Sequence, residues 1–166
     1  MGTRCLTAFR ESRDSSDTEI AVLYRQFDGY LDGHGKELVG LLKGRFIVNG
    51  FSTLEDARNF NGIGCLAAQV VAHFKQPKKR LPNDEPSSIG NFYLYPANTR
   101  DCGEEYTYLI YQGAETLIEV KPTSGKPRNK PAYPVMLKIE SGGAVLYDGP
   151  VDSLDIDALI KAEQEA

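Results

Sequence analysis

Thr3 to Arg10 reads as a strand, in which successive side chains alternate between two faces. This places Cys5, Thr7 and Phe9 on one face of a strand and Arg4, Leu6, Ala8 and Arg10 on the other. The polar run 11–17 is a turn, and Thr18 to Phe27 is rich in β-branched and aromatic residues, so the two segments read as an antiparallel hairpin. Pairing of that kind draws Thr3, Arg4 and Arg25 toward one another at the open end. The period then changes from two to 3.6. Leu38, Leu41 and Leu42 form the apolar stripe of a helix that Asp32 or His34 opens, that runs to about Lys43, and that Gly44 stops.

Phe46-Ile47-Val48 is a short apolar link into the turn Asn49-Gly50. Ser52-Thr53-Leu54-Glu55 has the form of a capping box, and the short helix it opens should end at Asn61-Gly62. A further helix is expected after Gly64, from Cys65 to Lys75, with Leu66, Val70 and Phe74 down one side. Gln76 to Gly90 is polar and proline-bearing, hence a loop. Strands are expected at Phe92–Tyr95, Tyr106–Gln112 and Thr116–Lys121, the last two joined as a hairpin through Gly113-Ala114. The four prolines between Pro122 and Pro134 predict an extended excursion. A second hairpin pairs Val135–Glu140 with Ala144–Tyr147, Gly149-Pro150 ends it, and Asp155–Glu163 is a final amphipathic helix carrying Ile156, Leu159 and Ile160. A strand pair, then helices, then strands predicts one α+β domain over residues 1–166. Its sheet is mainly antiparallel, formed by the N-terminal hairpin plus the C-terminal strands, and packs against two or three helices.

Composition narrows the function classes. At 166 residues, with 41% hydrophobic and 25% charged, the chain can bury a core without disulfides or metal. A net charge of −4 gives no general attraction to nucleic acid or anionic membrane. Cys5, Cys65 and Cys102 are an odd set without metal-type spacing and, with no signal-like apolar run, read as reduced cytosolic thiols. No segment approaches the roughly 20 apolar residues that span a bilayer, and Leu6 occupies the position where a myristoylation motif needs Ser or Thr.

The densest stretch runs from Tyr24 to Lys36, with three glycines, three aromatic rings and a histidine among its charges. Gly33 and Gly35 beside a helix start, with Arg4, Arg25 and Lys36, suit an anion. Asp28, Asp32 and His34 suit a divalent metal or acid–base work. An Asp- and Gly-rich turn with a capping carboxylate explains the same residues without function. Asn61-Gly62-Ile63-Gly64-Cys65 offers a second candidate. Gly64 and Cys65 open a helix whose dipole lowers a thiol pKa, so that Cys65 can act as nucleophile with His34 as base, hold an anion, or simply pack. His73, in the last turn of that helix, suits a cation.

Arg100 can serve a phosphate and Asp101, Glu104 and Glu105 a Mg²⁺, or these residues form a local ion pair in a turn. Among Tyr93, Tyr95, Tyr106, Tyr108 and Tyr111 at least two share a sheet face, which either stacks bases or is half-buried sheet. The basic loops Lys75, Lys78, Lys79, Arg80 and Lys121, Lys126, Arg128, Lys130 interleave no aromatics and read as solvated, which makes nucleic acid a poor partner.

Met1-Gly2-Thr3-Arg4, Tyr24-Arg25-Gln26-Phe27-Asp28-Gly29-Tyr30 with Gly33-His34-Gly35, Asn61 to Gln69, Phe92 to Pro96, and Arg100 to Tyr106 follow one another in order. On these blocks, across roughly residues 1–112, the chain resembles a family of uncharacterised proteins carried by bacteriophages and by bacterial genomes with prophage content. Where that family has Pro after the Asp-Gly-Tyr triplet, this chain has Leu31. The resemblance implies a phage accessory protein acting in the host cytoplasm.

Residues and resemblance together lead to the expectation of a non-enzymatic protein that binds a small anionic ligand such as a nucleotide, by which it can sequester a host signal. The expected pocket draws on Arg4, Arg25, Asp28, His34, Lys36, Gly64, Cys65 and Arg100, with no metal or cofactor. The rival readings are a Cys65/His34 or metal-dependent hydrolase, and a protein-interaction module that inhibits a host enzyme through its tyrosine face and basic loops. No membrane partner is expected, and a homo-oligomer is left open.

Overall fold

The computed structural model describes residues 2–50, 58–77, 81–83, 85, 91–122 and 124–166. Strand β1 (Cys5–Arg10) pairs antiparallel with β2 (Glu19–Arg25), with Cys5 opposite Arg25 and Ala8 opposite Val22. Glu19 already belongs to β2 because a short 3-10 turn, Ser16–Thr18, ends the connecting loop. After Arg25 the chain makes a single π-helical turn, Leu31–Gly35, and enters helix α1 (Lys36–Leu42), which stops before Gly44 at φ +79°. There follow β3 (Phe46–Val48), β4 (Phe60–Asn61), α2 (Gly62–Lys75), β5 (Phe92–Tyr95), β6 (Tyr106–Gln112), β7 (Thr116–Val120), β8 (Arg128–Ser141), β9 (Ala144–Pro150) and α3 (Ile156–Gln164). Asp155 caps α3, its carboxylate accepting from the Ala158 amide at 3.0 Å. Among the described residues the sheet runs β4-β3-β8-β6-β1-β2-β5, with β7 and β9 also paired to β8. The fold is α+β, with a mixed, curled sheet that is mainly antiparallel; among the described residues only β1–β6 and β3–β4 pair in parallel.

The alternation read in β1 decides the layering. Cys5 and Phe9 face the helices, where they join Leu23, Tyr108, Ile110, Leu137 and Ile139 from the sheet. Against them pack Leu38 and Leu42 of α1, Leu66, Val70 and Phe74 of α2, and Ile156 and Ile160 of α3. Each such side chain contributes roughly 1.5–3 kcal/mol when fully buried, and this layer is the larger of the two apolar clusters. Leu6, Ala8, Val22, Tyr24, Leu109 and Tyr111 form a second, smaller cluster on the opposite face, with Cys102 and Met136 packed on it.

The segment from Pro96 to Glu105 is tied to that opposite face by a buried carboxylate. Glu19 accepts from Arg10 Nε at 2.9 Å and from both terminal nitrogens of Arg100, at 2.8 and 3.0 Å. The Asn98 amide donates to it as well. Its side chain is fully buried, and these donors hold its pKa below the usual carboxylate value against the upward push of burial.

Several expected elements differ. β6 and β7 do not form a hairpin: β7 pairs with the first part of β8, Leu117 opposite Pro131, while β6 pairs with its second part, Tyr108 opposite Ile139. Much of the expected excursion at 122–134 is therefore ladder, because a proline is compatible with extended backbone wherever no amide is needed. β9 likewise continues through Gly149 and Pro150. Phe60–Asn61 is a strand rather than a helix end, and α2 begins at Gly62, so Gly64 and Cys65 lie inside its first turn. The capping box Ser52–Glu55 and the basic residues Lys78, Lys79 and Arg80 lie outside the described residues. No described helix is long and apolar enough to cross a membrane.

Candidate functional site

The dense loop after β2 is shaped by steric demand. Asp28 adopts φ +61°, and its carbonyl accepts from the His34 amide at 3.0 Å. A Cβ on Gly33 would lie 2.5 Å from that same Asp28 oxygen, and one on Gly29 would lie 2.8 Å from the Cys5 amide. Real Cβ atoms do not approach backbone so closely, so both positions require glycine. Tyr108 reaches across from β6 and donates its hydroxyl to the Gly29 carbonyl at 2.9 Å. The glycines thus seat the loop on the end of the sheet, and the π-helical turn directs His34 into the core.

His34 is completely buried, stacked on Phe74 at a centroid distance of 4.5 Å and tilted against Tyr108 at 5.0 Å. Its Nδ1 lies 3.3 Å from Nη1 of Arg25, and its Nε2 lies 2.7 Å from the Thr7 hydroxyl. A guanidinium only donates, so Nδ1 accepts and Nε2 carries the proton that goes to Thr7. Burial, and then the neighbouring Arg25 charge, hold the His34 pKa well below the ordinary imidazole value. The ring is neutral and both nitrogens are engaged.

Arg25 is buried beside it, with Nε donating to the Phe27 carbonyl at 2.6 Å and its guanidinium carbon 4.9 Å from the Phe92 ring centroid. Two carboxylates stand off at ion-pair distance, Glu37 at 3.7 Å and Asp28 at 4.0 Å. Glu37 in turn meets His73 Nε2 at 3.1 Å. A polar chain therefore runs from Thr7 in the core through His34, Arg25 and Glu37 to the surface at His73. Two carboxylates around one guanidinium make a poor field for an added anion.

Of the expected pocket residues, Arg25, Asp28 and His34 come together and the others do not. Arg4 is on the opposite sheet face, where a Cβ on Gly103 would meet its Nη1 at 2.7 Å. Arg100 is committed to Glu19. Lys36 pairs with Asp157 at 2.9 Å and Asp32 at 3.7 Å. Cys65 accepts from Gln69 Nε2 at 3.4 Å. It precedes Phe74, the residue stacked on His34, by nine helical positions, which at 1.5 Å per residue is about 13 Å.

A Cys65–His34 dyad is therefore not formed, and His34 has no lone pair left for a base or a metal. Glu104 is used to cap the Asp101 and Cys102 amides at 3.1 and 2.7 Å. No group of three metal-capable side chains occurs among the described residues. The partners that sequence reasoning missed are Thr7 and Glu37. Thr7 was legible as an inward polar residue on an otherwise apolar strand face.

The exposed apolar side chains point elsewhere. β5 is the terminal strand of the sheet order among the described residues, and its side chains reach solvent on both faces. Leu94 is 61% exposed on the helix side, at an open groove of about 510 Å³ that Ala21, Ala68, Val71 and Ala72 also line. Tyr93 and Tyr95, 41% and 36% exposed, stand on the other side, with ring centroids 5.9 and 5.7 Å from Tyr24. No family model, curated protein or solved structure matches the chain.

Proposed function

We propose that the chain is a non-enzymatic protein-interaction module that engages a partner protein across strand β5, in keeping with the phage accessory role in the host cytoplasm that its sequence resemblance implies. The observation that carries this reading is the two-sided exposure of Tyr93, Leu94 and Tyr95 on the strand that ends the sheet order among the described residues. Contiguous exposed apolar and aromatic side chains mark contact surfaces, and tyrosines supply large contact area at low entropic cost. A hydrolase reading loses its support once Cys65 and His34 are apart and His34 is enclosed. A pocket for a small anion loses support once Arg4, Lys36 and Arg100 are dispersed.

The test is affinity capture from host-cell lysate on immobilised wild-type protein and on a Leu94→Asp/Tyr95→Asp double variant, with circular dichroism to establish that the variant is folded. A protein retained by the wild type and lost with the variant supports the reading. Identical capture by both, or none by either, counts against it.

A further inference from the structure

We infer that residues 96–105 form a strap that lifts off the sheet as one unit, with Glu19 as its latch, so that the second apolar face of the sheet has a covered and an uncovered state.

The two faces of the sheet are covered by different means. All three helices pack on the face that carries Cys5 and Phe9, and none contributes a side chain to the cluster of Leu6, Ala8, Val22, Tyr24, Leu109 and Tyr111. Leu6, Ala8 and Val22 are nevertheless fully buried. At the Tyr111 end, the phenol and Arg13 both donate to Asp148. Elsewhere the cover is the 96–105 segment. Cys102 packs on the cluster, Gly103 lies against Arg4, and Arg100 reaches Glu19, which also holds Arg10. Arg4, Leu6, Ala8 and Arg10 share one side of β1, so the segment is anchored at both ends of the row it covers.

A cover of this kind opens more easily than a layer of helices. It contains neither helix nor strand between Tyr95 and Tyr106. Its internal bonds survive if the whole piece moves: the Thr99 amide donates to the Pro96 carbonyl, and Glu104 accepts from the Asp101 and Cys102 amides. Toward the sheet, among the described residues, the hydrogen bonds from 96–104 all end on Glu19, one from the Asn98 amide and two from Arg100. Asn98 and Asp101 hold φ of +66° and +61°, left-handed backbone that residues with side chains adopt at a cost and that release relieves. Opening strands no buried charge, because Glu19 keeps its bond from Arg10 Nε while Arg100 passes into water. Detachment of the segment therefore lies at lower free energy than unfolding of the helix-covered core. Once it lifts, the strip from Leu6 to Tyr24 becomes continuous with the exposed Tyr93 and Tyr95, whose rings lie 5.9 and 5.7 Å from Tyr24.

The test is modification by iodoacetamide of a Val22→Cys variant of the full chain, followed peptide by peptide in a mass spectrometer at urea concentrations below the unfolding transition. This substitution puts a slightly smaller side chain under the segment, and Cys5, fully buried on the helix face, reports opening of the core in the same molecules. The expected result is modification at position 22 about tenfold or more faster than at Cys5, rising less steeply with urea because lifting the strap exposes less surface than unfolding. Glu19→Gln and Arg100→Gln, each added to that variant, speed modification at position 22 about tenfold by removing charge-assisted hydrogen bonds. Equal rates and equal urea dependence at the two thiols overturn the strap. A rate at position 22 that neither added substitution changes overturns Glu19 as its latch. Should Val22→Cys fail to fold, amide exchange of the unsubstituted protein decides. Faster exchange at Asn98 than at Ile110, with weaker urea dependence, supports the strap, and matching protection of the two amides overturns it.

Discussion

Nδ1 of His34 accepts a hydrogen bond from Nη1 of Arg25 at 3.3 Å inside the hydrophobic core. A ring held in that way cannot take up a second proton without placing two cations side by side, away from water.

Stability should therefore decline in mild acid. The unfolded chain binds a proton on His34 near pH 6.5, whereas the folded chain, with its pKa lowered well below that value, does not. Below pH 6.5 the unfolded state binds more protons, so this contribution is intact above pH 6.5 and is lost as pH falls toward the folded-state pKa. The slope is about 1.4 kcal/mol per pH unit for a single site. Melting temperatures between pH 7.5 and pH 5 should show the fall, and a His34→Gln variant should flatten it. Glu19 and Asp148, whose pKa values are lowered, act in a separate window, losing their contributions as pH drops below their ordinary carboxylate range.

Two glycines a few residues apart should respond to alanine with opposite signs. Gly33→Ala drives a Cβ to within 2.5 Å of the Asp28 carbonyl, which cannot move without breaking its bond from the His34 amide. A loss of about 1–3 kcal/mol is expected. Gly40 lies in α1 with nothing within 4 Å of its virtual Cβ. Gly40→Ala should stabilise by about 0.5–1 kcal/mol. Urea titrations of the two variants provide the comparison.

Glu19→Ala should be costly. It leaves Arg10 and Arg100 facing a buried space that their shared carboxylate had filled, and removal of one partner of a buried ion pair costs about 3–5 kcal/mol. Amide exchange in the 96–105 segment should accelerate more than in β6, since that segment is what Glu19 ties down.

The three cysteines should divide under a thiol reagent. Cys5 is fully buried, and burial pushes its thiol pKa far above the ordinary value despite Arg25 nearby. It should remain unlabelled in the native protein at pH 8 and become labelled in denaturant. Labelling of all three thiols without denaturant would contradict the packing of β1.

The hairpin, the two faces of β1 and the stripe Leu66, Val70 and Phe74 were legible because each depends on local periodicity. β8 was not, since Pro131 and Pro134 read as breaks, and only the ladder shows that their missing amides are not needed there. Gly33 and Gly35 pointed toward an anion cradle because close packing against the chain's own atoms and close approach to a ligand demand the same residue. Alternation already put Arg4 with Leu6 and away from Cys5, but Arg25 had no fixed face until the register set it opposite Cys5. His34 in the core was invisible to sequence reasoning, because its partners Thr7, Arg25 and Phe74 are 27, 9 and 40 positions away.

β8 has one further implication. As a single strand of 14 residues it serves one set of neighbours with its first half and another with its second. An insertion or deletion of one residue near Pro134 would turn every side chain downstream to the wrong side, exchanging Leu137 and Ile139 for Lys138 and Glu140 beneath the helices. Changes in chain length should be absorbed only in the turns that flank it. The spacing from Arg128 to Ser141 acts as a ruler for both ends of the molecule.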